Sequence, residues 1–426
     1  MIGQRAIPVR RGAPAVYLRR ARGTWHKYAN IPIRCHGGFI ILLLGIHVHE
    51  YYVKTSVSSR TGLARERKAI RLAGQIYAVG NAGLAAWLPQ FIRPCDQPAS
   101  ITVPRTLAEL EAAASGAFWP ETVFVSDHQT ISRDLEWAAL LASRGRAVRC
   151  QSETAATAAT DKAALKQILT ACLIPTLPWR CAGDGAAGWC LPAGPAVVKR
   201  RNGTQSEGIR LAPPDAELAA GEYAEPYRDG TEYSVNAFRH ESGLTILPTV
   251  WKGCTTRALV PPWMRTRLCA PAIARPDVAS RLAKLTGSIA AALDADGFFE
   301  VEFLATDSGE VYVLEVNPRV SGTLRISALA AEKPVFSWYA DPAAEEVLAA
   351  TAWAVEVPNP GSLRPVVPDL GLYATSRVTV VAADQARLAE RIGHIARAGL
   401  LAGEAITALH DACSQLESGV DALVPH

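Results

Sequence analysis

The stretch that most constrains this 426-residue chain runs from Gly297 to Arg319. An apolar run carrying Glu300 and Glu302 leads into the turn Thr306-Asp307-Ser308-Gly309. A second apolar run then closes on Glu315, Asn317, Pro318 and Arg319. The spacing predicts strands over 298–304 and 311–316, antiparallel because so short a connection allows nothing else. Alternation puts Glu300, Glu302 and Leu304 on one face of the first strand. Glu315 ends the second strand and Asn317 lies two residues on, so a hairpin brings Glu302, Glu315 and Asn317 together. Three hard oxygen donors at that spacing suit Mg²⁺, with Mn²⁺ as a substitute, because Mg²⁺ takes octahedral oxygen ligands shared with substrate phosphates. Arg319 is placed to reach the same space with a planar, permanently charged fork. Glu300 reads as a solvated acid on the hairpin surface.

Two lysines stand upstream. Lys199 ends the apolar run 195–199, and the polar loop that follows contains Asn202-Gly203, a dipeptide suited to a tight hairpin with a strand at 208–211. Lys162 follows the helix-capping pair Thr160-Asp161, which opens a helix over 162–172 ending before Ile174-Pro175. Cations fixed at strand and helix ends would hold a polyphosphate. The loop is not a Walker A motif, since G-x-x-x-x-G-K-[ST] is absent. A third element, Glu225 to Val235, reads as a linker between two sheets, where ligands favour binding. Its backbone could pair with a heterocycle edge: the Pro226 carbonyl accepting, the Arg228 N–H donating.

Around these motifs the chain alternates short apolar runs with amphipathic stretches. Strands are expected at 39–47, 75–79 and 121–126, with helices at 63–72, 81–87 and 132–144. That pattern implies an open parallel sheet with helices on its faces. A strand at 233–238 and a long helix at 276–295, with Leu282, Leu285 and Ile289 on one face, precede the key hairpin. Beyond Asp341 an Ala-rich helix, a Pro-rich connection at 357–368 and a last unit at 371–416, one strand (378–381) and two helices, are expected.

Composition excludes several classes. Of 44 basic residues, eight (Arg5 to Arg34) precede the first acid, Glu50, leaving 36 against 40 acidic ones. Such a body has no basic excess for nucleic acid. The basic arm, residues 1–35, reads as a loose extension without a secretory leader pattern. The nine cysteines form no C-x-x-C pair, so neither a disulfide framework nor a zinc site is indicated. The apolar run 39–46 is too short to span a bilayer, and a cytoplasmic protein without membrane partners is expected.

In order and spacing the four elements resemble the ATP-grasp superfamily. Residues 160–179 are similar to the stretch holding its first nucleotide lysine, 195–209 to its phosphate-loop hairpin, 225–235 to its adenine hinge, and 301–322 to its metal site. The resemblance implies ATP and Mg²⁺ as cofactors, Lys162 and Lys199 on the phosphates, Glu225 on the adenine amine, with Arg228 beside it, and Glu232 on the ribose. It also implies Glu302, Glu315 and Asn317 on magnesium, with Arg319 and Lys199 as catalytic residues. The implied fold is α/β, α+β in the ATP-grasp part. It comprises an N-terminal parallel-sheet domain (36–150), an ATP-grasp domain of two antiparallel-sheet subdomains (151–340, lid about 175–235) and a C-terminal α+β unit (341–426). The implied reaction phosphorylates a carboxylate to an acyl phosphate and couples it to an amine, both small molecules, in a chain compatible with a homodimer. Candidate substrate contacts are Lys252, Thr255, Thr256, Arg257, Arg265, Arg267 and Arg325. The loop after Lys199 has a single glycine before Gly208, a departure from the glycine-rich members. Activation of an enol or ketone oxygen, a bicarbonate-activating carboxylase or carbamoyl-phosphate-synthetase-like enzyme, and a non-catalytic ATP-binding module are the alternatives.

Overall fold

A computed structural model of the chain describes residues 100–115, 121–126, 130–183, 192–203, 206–241, 243–333, 338 and 346–417, with the short strands Val16–Arg19, Trp25–Lys27, Tyr52–Thr55 and Ile76–Val79. The elements expected at 39–47, 63–72 and 81–87 lie outside the described residues. The chain divides into two compact units, 1–72 and 73–426. In the first, the three short strands form an antiparallel sheet with Val16–Arg19 in the middle. Two of them come from the Arg-rich stretch for which the sequence suggests a loose extension.

The second unit begins with a four-stranded parallel sheet, ordered Ser100–Thr102, Ile76–Val79, Glu121–Phe124, Val148–Arg149. Helices Leu107–Ser115 and Ile131–Ser143 pack Leu110, Ala138 and Leu141 against Phe124. This is the open parallel sheet that alternating apolar runs imply.

Helix α1 (Lys162–Ala171) starts where the side chain of Asp161 accepts from the N–H groups of Ala163 and Ala164, filling two of the donors that a helix start leaves unmet. A small antiparallel sheet follows, ordered Arg210–Ala212, β1 (Ala196–Arg200), β2 (Glu222–Pro226), Arg180–Cys181. The Asn202-Gly203 expectation needs correction. Left-handed backbone falls at Ser206 (φ 63°) and Gly208 (φ 71°) instead. The strands are joined by residues 201–209, too long a loop to need a two-residue turn.

A large sheet carries the rest. Its order is β7 (Val311–Asn317), β6 (Gly297–Ala305), β3 (Thr231–His240), β4 (Val250–Cys254), β5 (Arg267–Cys269), β8 (Trp353–Pro358), β9 (Arg377–Ala382), then Leu372–Ala374 and Val366–Val367. Along this path all neighbours are antiparallel. Two expectations for the C-terminal stretch are corrected. Residues 346–352 form a short strand and loop, not a helix, and Trp353–Pro358 is a strand that runs into the start of the expected Pro-rich connection. β8 and β9 also extend the large sheet instead of starting their own.

Period-2 alternation gives this sheet two unlike faces. Tyr233, Val235, Trp251, Leu268, Phe299, Val301, Phe303, Val355 and Val380 face the main core. They pack against α2 (Pro276–Ala292), α4 (Gln385–Arg397) and α5 (Gly403–Glu417) through Leu282, Ile289, Leu388, Ile392, Ala405 and Leu409. Burying each large apolar side chain contributes roughly 1.5–3 kcal/mol, which anchors the register. The opposite face is polar near β6 and β7 and is covered elsewhere by α3 (Leu324–Ala330), whose Ile326 and Ala330 pack on Val250, Cys269 and Ala354.

That polar face includes a buried ion cluster. Glu356 Oε1 accepts from Arg267 (2.8 Å) and Arg377 (2.7 Å), and Oε2 from Thr379 (2.8 Å) and Arg325 (3.3 Å). Arg267, Glu356 and Thr379 are register partners on β5, β8 and β9, while Arg325 comes from α3. Burial opposes the charge on Glu356, but the three guanidinium groups outweigh it and hold its pKa at about 2. A folded-state pKa below the unfolded one gives stability that is complete above about pH 5 and lost as the pH falls towards 2. Glu356→Gln leaves three buried arginines without a counter-charge. It should lower unfolding stability by about 3–5 kcal/mol and flatten the acid limb of stability against pH, both measurable by denaturant unfolding between pH 3 and 7.

Candidate active site

The ribbon β6–β7 holds the candidate metal ligands, and its register decides their positions. Glu302 lies directly opposite Glu315, and Glu300 opposite Asn317. Between Glu302 and Phe303 the register slips: Phe303 pairs with Val313, so Leu314 is an extra residue. Without the slip, Val311, Val313, Glu315 and Asn317 would all share one face. The bulge changes the phase, so that Val311 and Val313 join the core while Glu315 and Asn317 turn to the polar face.

Across from the ribbon stand the lysines. Lys162, first residue of α1, donates to Glu315 Oε1 at 2.6 Å. Lys199, near the end of β1, forms an ion pair with Glu225 of β2. The Glu315 charge also reaches Lys166 and Lys199, and Lys162 and Arg267 reach Glu302. Both expected lysines and both expected acids therefore share one electrostatic space.

Most of the expected residues are engaged by a neighbour. Glu302 pairs with Lys252 at 2.6 Å; burial resists its charge, and Lys252 holds its pKa below the usual carboxylate value. Glu232 pairs with Arg265 at 2.7 Å. Glu225 is 1% exposed, so its side chain is committed to Lys199 and Lys166. Arg228 is exposed just beyond β2. Asn317 Oδ1 accepts from Arg319 at 3.0 Å. Among the substrate candidates, Arg267 and Arg325 are locked on Glu356, Thr255 is bonded to Gly230, and Arg257 lies over the Tyr227 ring. Lys252 and Arg265 lie against the site's acids.

Sequence reasoning passed over Lys166. It is completely buried on the inner face of α1, four residues after Lys162. Its ammonium meets Glu225 (2.8 Å), Thr176 Oγ1 (2.7 Å) and the Val313 carbonyl (3.2 Å). It therefore ties the small sheet to the strand residue that precedes the bulge. Burial pulls its pKa below the usual lysine value despite Glu225. For Lys199 burial acts the same way, yet Glu225 outweighs it and the pKa is raised. Glu225, against burial, is held at about 2 by Lys166 and then Lys199. The only sequence signal for Lys166 is a lysine at i+4 on an otherwise apolar helical face.

The donor set suits Mg²⁺ as a shared cation. Glu302, Glu315 and Asn317 supply hard oxygens, and no group of three or more His, Cys, Asp or Glu is assembled among the described residues. Two carboxylates and an amide leave coordination for water and phosphate oxygens, the habit of Mg²⁺ rather than of zinc or an all-protein calcium cage.

Residues 159–323 match the family model of the ATP-grasp domain. A stretch of 91 residues is 40% identical to the carbamoyl phosphate synthase large chain of Halobacterium salinarum, and one of 102 residues is 34% identical to that of Rhizobium meliloti. These stretches are 21% and 24% of this chain and only 9% of either relative. Among solved structures, N5-carboxyaminoimidazole ribonucleotide synthetase from Thermotoga maritima is similar at 18% identity and TM-score 0.52, over 76% of this chain and 97% of that one. Biotin carboxylase from Campylobacter jejuni (14%, TM-score 0.55, 77% and 91%) and L-amino acid ligase from Bacillus licheniformis (14%, TM-score 0.54, 73% and 94%) are similar too. At these identities the likeness is one of fold.

Removing Glu225 and removing Lys166 are unequal perturbations. Glu225→Gln leaves the buried Lys166 ammonium and the partly buried Lys199 ammonium without a counter-charge, and should cost about 3–5 kcal/mol. Lys166→Met keeps Glu225 neutralised by Lys199, so its loss should be clearly smaller. Melting temperatures of the two variants check the order.

Proposed function

We propose that this chain, a member of the ATP-grasp superfamily, is an ATP- and Mg²⁺-dependent ligase that phosphorylates a carboxylate and passes the acyl group to an amine, releasing ADP and phosphate. The observation that carries the reading is the opposition of Lys162 and Lys199 to the ribbon acids, with Lys162 Nζ already 2.6 Å from Glu315. A nucleotide's phosphate tail between them would take the lysines as partners and free the carboxylates for Mg²⁺, which when bound neutralises phosphate charge shared between nucleotide and protein.

The residues divide the work by position. Lys162 and Lys199 hold the phosphates. Glu225 keeps Lys199 charged and aimed, while the backbone after it, the Pro226 carbonyl and the Arg228 N–H, is available to the adenine edge. Glu232 is placed for the ribose hydroxyls once Arg265 gives way. A carboxylate is a poor electrophile until phosphorylated, and positioning supplies most of the rate. Arg319 provides a fixed positive charge for the transferring phosphoryl group and then for the oxyanion formed when the amine attacks. The β1 hairpin would cover an intermediate that water destroys.

Lys199→Ala and Glu315→Ala should each abolish ADP release, at least about a hundredfold, while melting curves stay cooperative. Near-normal turnover in either folded variant removes the assignment. The substrate test crosses carboxylates with amines, reads phosphate release and identifies product by mass spectrometry. A bicarbonate reading has its own support, since the 40%-identical stretch belongs to a carbamoyl phosphate synthase. ADP release that needs bicarbonate but no organic carboxylate would replace the amine-ligase reading with that one.

A further inference from the structure

Glu300 is not the solvated acid that its place in the hairpin suggests. It is 4% exposed, and both of its oxygens are used. Oε2 accepts from Asn317 Nδ2 at 3.1 Å, and Oε1 accepts from the Thr323 hydroxyl. Behind them Asn236 Nδ2 donates to Thr323 Oγ1 (3.0 Å) and the Ser321 hydroxyl donates to Asn236 Oδ1 (2.7 Å).

The partners set the direction of the hydrogen bonds around Asn317. Asn317 turns its NH₂ to Glu300 Oε2, which accepts from it. A guanidinium only donates, so the atom facing Arg319 must be Asn317 Oδ1. Because Asn236 donates to Thr323, the Thr323 hydroxyl proton is left for Glu300. The Asn317 amide is therefore oriented with its nitrogen towards Glu300 and its oxygen towards Arg319.

We propose that Glu300 is a positioning residue for the metal site: it locks the Asn317 amide so that oxygen, never nitrogen, is offered to the cation. The inference rests on the Mg²⁺ reading of Glu302, Glu315 and Asn317. A ligating amide that can flip spends part of its time presenting NH₂, which repels a cation. Partners behind a ligand commonly change metal affinity roughly 10–100-fold when lost. A glutamine in place of Glu300 weakens the lock, since its own amide can donate to Asn317 Oδ1, and leaves Arg319 alone to hold the orientation. The Ser321-Gly322-Thr323 turn thereby acquires a role, as the support that aims Glu300.

Mn²⁺ binding in the presence of ADP, followed by electron paramagnetic resonance with melting temperature recorded alongside, tests the proposal without turnover. Glu300→Gln should weaken Mn²⁺ binding at least about tenfold. Asn317→Asp alone should also weaken it, because two carboxylates then face each other in a buried place. The double variant E300Q/N317D should recover to within about threefold of the parent. In it the introduced amide can donate to one oxygen of the introduced carboxylate and leave the other for the metal. Unchanged Mn²⁺ affinity in folded Glu300→Gln overturns the proposal. If Glu300→Gln does not fold, the double variant decides: recovery supports the lock, and affinity as weak as Asn317→Asp overturns it. Glu315→Gln is the control for the underlying reading. If Glu315→Gln leaves Mn²⁺ binding intact, the metal-site reading fails and the lock with it; if it abolishes binding while Glu300→Gln does not, only the lock fails.

Discussion

The pairing of β6 with β7 governs the rest of the site. Glu302 and Glu315 sit opposite each other on adjacent strands, a placement in which like charges destabilise a sheet. The arrangement persists because each carboxylate has its own ammonium group, Lys252 for one and Lys162 for the other. The lysines arrive from different elements, β4 and α1, so the ion pairs also fix those elements relative to the ribbon. The bulge at Leu314 makes the arrangement compatible with a core. It lets one short strand bury Val311 and Val313 on one side and turn Glu315 and Asn317 to the other.

The polar face of the large sheet repeats this economy. Ion pairs recur along it: Glu315 with Lys162, Glu302 with Lys252, Glu232 with Arg265, and Glu356 with Arg267, Arg325 and Arg377. The buried pairs among them, those of Glu356, add little net stability over apolar packing, but breaking one is costly. Together the ion pairs hold a polar surface in one geometry before any ligand arrives. The Glu356 cluster extends that rigidity beyond the ribbon. Arg267 also donates to the Gly322 carbonyl at 2.9 Å, in the turn that supports Glu300. The C-terminal strands thus brace the loop that follows the β6–β7 ribbon. Lys166 does the same on the other side, joining Glu225 of the small sheet to the Val313 carbonyl.

The sequence by itself determined the order of elements and the identity of the chemical groups. Two oxygen-bearing strands joined by four turn residues, a lysine at a capped helix start and another closing an apolar strand are local patterns. Local sterics and period-2 or 3.6-residue burial specify them without reference to the rest of the chain. What each charged group faces was decided only by the tertiary structure. Glu300 looks like Glu302 in sequence, yet one is sealed behind Asn317 and the other meets Lys252. Arg267 and Arg325 look like substrate contacts, yet they close on Glu356. The bulge and the joining of β8 and β9 to the large sheet were hidden for the same reason. Both depend on which strands become neighbours, and strand pairing joins residues far apart in the chain, where no local pattern carries the information.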